Sequence, residues 1–126
     1  MAISALSGIR VAELGDFIVA PYCTKLMGDL GADVIKIEPP SHGDSARKYG
    51  PFPDDVPHPE KSLLFAYLNS NKRGMTLDMR SPDGLKILRE LLTQIDVLVE
   101  SNQPRMMENL GLDYPNLSRL NPSLIV

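Results

Sequence analysis

The chain is 126 residues long, 43% hydrophobic and 23% charged, with a formal net charge of −3, the proportions of one soluble globular domain. With no basic surplus to neutralise phosphates, general nucleic-acid binding is excluded, and no apolar run approaches the ~20 residues needed to span a bilayer. Cys23 is the one cysteine, so no intramolecular disulfide can form, and Met1–Arg10 lacks the charged start and long apolar core of a signal peptide; both features predict a cytoplasmic protein.

Ile9–Leu14 alternates apolar and polar residues and predicts a first strand. Pro21 suits the opening turn of a helix, and Cys23, Leu26, Met27 and Leu30 recur at helical spacing, predicting its apolar face. Gly31 is a natural stop, and Val34–Glu38, rich in β-branched residues, predicts a second strand. Strand, helix and strand in so short a span make a right-handed parallel βαβ unit. From Pro39 to Pro59, prolines, glycines and acids predict a long loop of the kind that is either functional or disordered.

Order returns with a short helix at Leu63–Leu68 and a third strand at Met75–Met79, preceded by Asn71-Lys72-Arg73 and followed by Arg80. Ser81-Pro82-Asp83 has the cap and first-turn proline of a helix start, and Leu85, Leu88, Leu92 and Ile95 supply its buried stripe. Val97–Val99 reads as a fourth strand. Pro104 opens a short helix closed by Gly111, and Tyr114–Leu120 forms another. Asn121–Val126 reads as a turn and the start of a buried strand, which predicts that the chain is the front of a longer protein. The alternation predicts an α/β fold, a Rossmann-like parallel sheet with helices on both faces, in one domain over residues 1–126.

The connection Leu14–Cys23 occupies the place of a phosphate loop, yet it carries one glycine and three bulky residues, Phe17, Ile18 and Val19, where a dinucleotide fingerprint needs close backbone approach. His42 and His58 lack ligand-like spacing and read as solvated loop residues, so no metal site is expected. Cys23, on the predicted apolar helix face, reads as a small core residue. Asn71-Lys72-Arg73 and Arg80 could flank one sheet edge with positive charge, or simply be solvated. Glu100-Ser101-Asn102-Gln103 follows the fourth strand, where α/β sheets bind ligands; these side chains could meet the amides of an extended ligand or cap the helix that follows.

The ordered blocks Leu6–Val11, Ala20–Cys23, Asp29–Glu38 and Gly43–Arg47 resemble the start of a class III CoA-transferase, the family that also contains the α-methylacyl-CoA racemases. Asn71–Arg73, Thr76–Met79, Ser81–Gly84, Asp96–Glu100, Leu110–Leu112 and Asn121-Pro122 continue the resemblance over essentially the whole chain. It implies a CoA-binding N-terminal segment of an enzyme that moves CoA between carboxylic acids. The same segment of a racemase, or a non-catalytic CoA-binding remnant, are the alternatives. Acyl-CoA and a carboxylic acid are then the implied partners, an interlocked homodimer the implied assembly, and no tightly bound cofactor is expected.

By position, the resemblance assigns CoA contacts to Ile18 and Val19, to Leu77, Asp78, Met79 and Arg80 near the adenine and phosphates, and to Ser101, Asn102 and Gln103 nearer the pantetheine. Arg80 suits phosphate because a guanidinium can grip it bidentately. Several positions depart from the pattern: Pro39 and Asn109 stand where relatives carry basic residues, and the usual Asn-aromatic-x-Pro-Gly block reads Ser101-Asn102-Gln103-Pro104-Arg105. The family's nucleophilic aspartate, which forms mixed anhydrides with the acyl group, is implied downstream, so no residue here is assigned a catalytic role.

Overall fold

A computed structural model of the chain, which describes residues 4–126, contains four strands and five α-helices in alternation: β1 (Arg10–Leu14), α1 (Val19–Asp29), β2 (Asp33–Glu38), α2 (Leu63–Leu68), β3 (Lys72–Thr76), α3 (Pro82–Leu92), β4 (Val97–Glu100), α4 (Met106–Asn109) and α5 (Tyr114–Leu120). The strands are all parallel, in the order β3-β2-β1-β4. The chain therefore winds outward from β1 to β3, then crosses back to place β4 on the other side of β1. Such a reversal opens a crevice at the carboxyl ends of β1 and β4.

Both faces of the sheet are covered, as a parallel sheet requires. On one face Ala12, Leu14, Ile37 and Leu98 pack with Leu88 and Leu92 of α3, Leu117 of α5, and Ile95, Leu112 and Leu124. On the other, Val11 and Val34 pack with Leu6, Ile9, Met27 of α1, Val97 and Val99. The expected α/β architecture is therefore the observed one. Ser81 caps α3 by accepting from the Gly84 amide at 3.0 Å, and Gly111 stops α4 in the left-handed region at φ 64°.

Three expectations are corrected. The third strand runs from Lys72 to Thr76, not Met75 to Met79. Its pairing with β2 sets the limit, because β2 ends at Glu38 opposite Thr76; the next amide, Leu77, donates to the Glu38 carbonyl at 2.9 Å, and its side chain turns into the core. Sheet pairing outweighs the local apolar pattern here. The predicted apolar face of α1 is also largely wrong. Leu26 and Leu30 are 46% and 52% exposed, Cys23 is exposed rather than a core residue, and Ala20, Pro21 and Thr24 face the sheet instead. Small side chains let α1 approach closely, and Thr24 is needed inward as a hydrogen-bond donor to Glu13. Finally, Glu100–Gln103 supplies no side-chain cap for α4, which begins after Arg105 in left-handed backbone.

The long segment after β2 is ordered by two short 3-10 turns, Ser45–Lys48 and Pro53–Asp55. At the chain's last residues, Ile125 bridges Val97 in parallel, extending the sheet beyond β4 while Leu124 is buried.

Candidate functional site at the carboxyl ends of the strands

The crevice between β1 and β4 is closed at its base by the contact of Gly15 with Ser101. A Cβ on Gly15 would lie 2.2 Å from the Ala20 Cβ and 2.9 Å from the Ser101 Oγ, so only glycine lets the loop after β1 pass under α1 and against the loop after β4. The Leu14 carbonyl accepts from the Ser101 amide at 3.3 Å and from the Asn102 Nδ2 at 3.0 Å. Asn102 thereby ties together the two strand ends that flank the crevice. Above them Ile18 and Val19 are 43% and 74% exposed. Ile18 is the N-cap of α1 without any side-chain cap, leaving the first amides of α1 to a ligand or water.

Two loops cross at this end of the sheet. The Asp16 carboxylate accepts from the Ser45 amide at 2.7 Å and the Ser45 hydroxyl at 2.5 Å, while Asp44 accepts from the Phe17 amide at 3.2 Å and the Ala46 amide at 2.7 Å. Phe17 sits in left-handed backbone at φ 65°, with its ring 4.9 Å from that of Tyr49. Partial burial pushes the Asp16 carboxyl up, but the Ser45 hydroxyl and amide outweigh it and hold the pKa below the usual carboxylate value.

Beneath the crossing lies a buried cluster of charges. Lys36 contacts Glu13 at 2.6 Å and Asp44 at 2.6 Å, and Lys72 contacts Glu13 at 2.8 Å. Thr24 donates to Glu13 at 2.5 Å, and Lys72 also donates to the Pro21 carbonyl at 2.8 Å and the Asn69 side chain at 2.9 Å. Burial pulls the Lys72 ammonium below its ordinary value, against the pull of Glu13. Beside the cluster, Arg47 grips Glu38 through two bonds of 2.8 and 2.9 Å and lies 3.7 Å over the Phe65 ring. Glu38 is pushed up by burial but held below its usual value by Arg47 and the Asp44 amide.

Of this cluster only Lys72 was singled out from the sequence, as an edge or solvated charge; the structure instead buries its ammonium against Glu13, and Glu13, Lys36 and Asp44 were not singled out. The signal was present: β1 and β2 are inner strands of a parallel sheet, so a glutamate and a lysine at facing positions of their alternation had to be buried together. The register pairs Glu13 with Lys36 directly.

Leu77–Arg80 lies apart from the crevice, after β3 at the far edge of the sheet. Three strand spacings separate β3 from β4, about 14 Å, so only an elongated ligand could touch both. Leu77 is 8% exposed and belongs to the core, and Met79 packs partly against it. Asp78 turns back to accept from the Arg80 amide at 3.0 Å. Arg80 is exposed and makes no ion pair among the described residues. Gln103 is exposed, and its carbonyl accepts from the Met106 amide at 3.1 Å.

Chemically the arrangement can bind more readily than it can react. The carboxylates at this end are already engaged: Asp16 by Ser45, Glu38 by Arg47, Asp44 by Lys36, Asp78 by the Arg80 amide, and Glu100 by the Asn102 amide at 2.9 Å. His42 and His58 are exposed, and among the described residues no three potential metal-ligating side chains come together.

The model of CoA-transferase family III matches residues 6–126. A succinyl-CoA–D-citramalate CoA-transferase of Chloroflexus aurantiacus is 37% identical over 121 residues, which cover 96% of this chain and 29% of that protein. A formyl-CoA:oxalate CoA-transferase of Afipia carboxidovorans is 41% identical over 122 residues, 97% of this chain and 28% of the relative. The chain thus spans less than a third of the length of these curated relatives, 29% and 28%. Among solved structures, a CAIB/BAIF family protein from Brucella suis superposes with a TM-score of 0.86 at 34% identity, covering 98% of this chain and 32% of that one.

Proposed function

Because the chain belongs to CoA-transferase family III, we propose that it is the CoA-binding part of an enzyme that transfers CoA between carboxylic acids. The observation that carries this reading is the crevice at the reversal of strand order, where Gly15 admits Ser101 and the exposed Ile18–Val19 pair stands over an uncapped helix start. Apolar side chains beside unpaired amides suit a ligand that is part hydrocarbon-like arm and part anion.

In this reading Ile18 and Val19 contact the arm of CoA, Ser101, Asn102 and Gln103 meet its amides, and the Leu77–Arg80 segment takes the adenine and phosphate end, with Arg80 as the charged contact. The distance between the two groups of residues supports an extended ligand rather than a compact one. Acyl-CoA and a carboxylic acid are the substrates, CoA being a substrate and not a resident cofactor. The family's acyl-accepting aspartate is not among the engaged carboxylates of this crevice, and we place it outside these residues. The exposed residues Tyr22 and Leu26 of α1, with Leu30 at its end, support self-association, in line with a homodimer, and we expect the protein in the cytoplasm.

Calorimetric titration of CoA into the purified protein tests the reading. A saturable isotherm with one site per chain is the expected result. An absence of binding at millimolar CoA would overturn it.

A further inference from the structure

We propose that Asp16 and Asp44 are positioning residues that lock the loop after β1 to the segment after β2, fixing Ile18 and Val19 where CoA passes; this rests on the CoA-binding reading above. The lock is a crossed pair of contacts. Asp16 of the first loop accepts from Ser45 of the second at 2.7 and 2.5 Å, and Asp44 of the second accepts from the Phe17 amide of the first at 3.2 Å. Between them Phe17 holds a left-handed backbone, φ 65°, which a phenylalanine adopts only under restraint from its surroundings. Tyr49, from the same second segment, supplies a third contact against the Phe17 ring.

The anchor is deep. Asp44 is 2% exposed, its second oxygen lies 2.6 Å from the Lys36 ammonium, and Lys36 is held by Glu13 from the centre of the sheet. The rigid part of the fold is thereby carried to the residue immediately before Ile18. A carboxylate beside a site for a polyanion such as CoA ought to repel it. Asp16, the more exposed of the pair, is therefore explained by what it holds and not by what it attracts.

The two roles predict opposite results. Asp16→Ala deletes both bonds to Ser45 and should weaken CoA binding about tenfold, the loss expected for two ordinary hydrogen bonds. Asp16→Asn removes the charge but can keep both, accepting from the Ser45 amide and donating to its hydroxyl, so its affinity should return to within about threefold of the unaltered protein. Thermal unfolding of each variant establishes that it is folded. Equal affinities for the two variants, whether weaker, tighter or unchanged, overturn the lock, and tighter binding by both is the signature of simple charge repulsion. Should Asp16→Ala fail to fold, Ser45→Ala decides: it removes one bond without touching charge and should weaken binding about threefold, and an unchanged affinity overturns the proposal. No CoA binding by the unaltered protein overturns the functional reading, and the purpose of the lock with it.

Discussion

Glu13 stands directly opposite Lys36 in the register of the two inner strands, and their side chains meet at 2.6 Å with exposures of 0% and 2%. Two ions withdrawn from water in the middle of a sheet are tolerable only when paired and fully hydrogen-bonded. Here Lys72, Thr24 and Asp44 surround the pair, giving two acids and two lysines with no net charge, and the Asp44 Oδ2 is held by its ion pair with Lys36 and not by a hydrogen bond. The cluster joins β1, β2, β3, α1 and the long segment after β2.

Removing one member should therefore be costly. Lys36→Met leaves Glu13 short of a partner and strands Asp44, and we expect a loss of about 3–5 kcal/mol in urea unfolding. Arg73→Ala, which breaks a solvent-exposed pair with Asp33, should cost less than about 1 kcal/mol. Comparable losses in the two variants would show that the cluster carries no special weight.

Arg80 is the charged contact we propose for CoA. Arg80→Ala should weaken CoA binding by about 1–3 kcal/mol, the worth of a charge-assisted contact, with unfolding unchanged because the side chain is exposed and outside any ion pair among the described residues. Calorimetry that finds the affinity unaltered removes Arg80 from the site.

Acid should loosen the crossed loops. Asp16 and Glu38 both have depressed pKa values in the folded chain, the outcome of bonds to Ser45 and to Arg47 that overcome burial. For a depressed carboxyl the stabilisation is complete above the unfolded value, about 4, and is lost as pH falls through the folded value, because the unfolded chain takes up the proton first. The melting temperature should accordingly hold between pH 7 and about 5 and drop below about 4. In Asp16→Asn that drop should be shallower; an identical pH profile would count against the Asp16 contribution.

Gly15 is where the two strand ends meet. Gly15→Ala places a methyl 2.2 Å from the Ala20 Cβ, an overlap that the loop can relieve only by moving. Overpacking of this kind typically costs about 1–3 kcal/mol, and CoA affinity should fall with it. A variant as stable as the parent, measured by urea unfolding, would mean that the crevice base is softer than its contacts imply.

The parts legible in the sequence were those fixed by local chemistry. Ser81-Pro82 announced α3, Gly111 announced the stop of α4, and the Leu85–Leu88–Leu92–Ile95 stripe announced what α3 buries. The parts missed were fixed by pairing across the sheet. β3 was placed three residues late because its ends are set by β2 and not by its own apolar run. The face of α1 was misjudged because a threonine that serves a buried glutamate looks polar in a helical wheel. Ile18, Val19 and Arg80 were assigned to CoA through family resemblance, whereas Asp16 and Asp44 needed the crossing of two loops 29 residues apart, as between Asp16 and Ser45, to become visible at all.

We propose that CoA lies along the carboxyl end of this sheet. A crystal structure of the protein soaked with CoA tests it most directly. The expected density runs from the Leu77–Arg80 segment across the first loop, over Ile18 and Val19, to Ser101–Gln103 in the crevice between β1 and β4. CoA bound on another face of the molecule, with this crevice filled only by water, would contradict it.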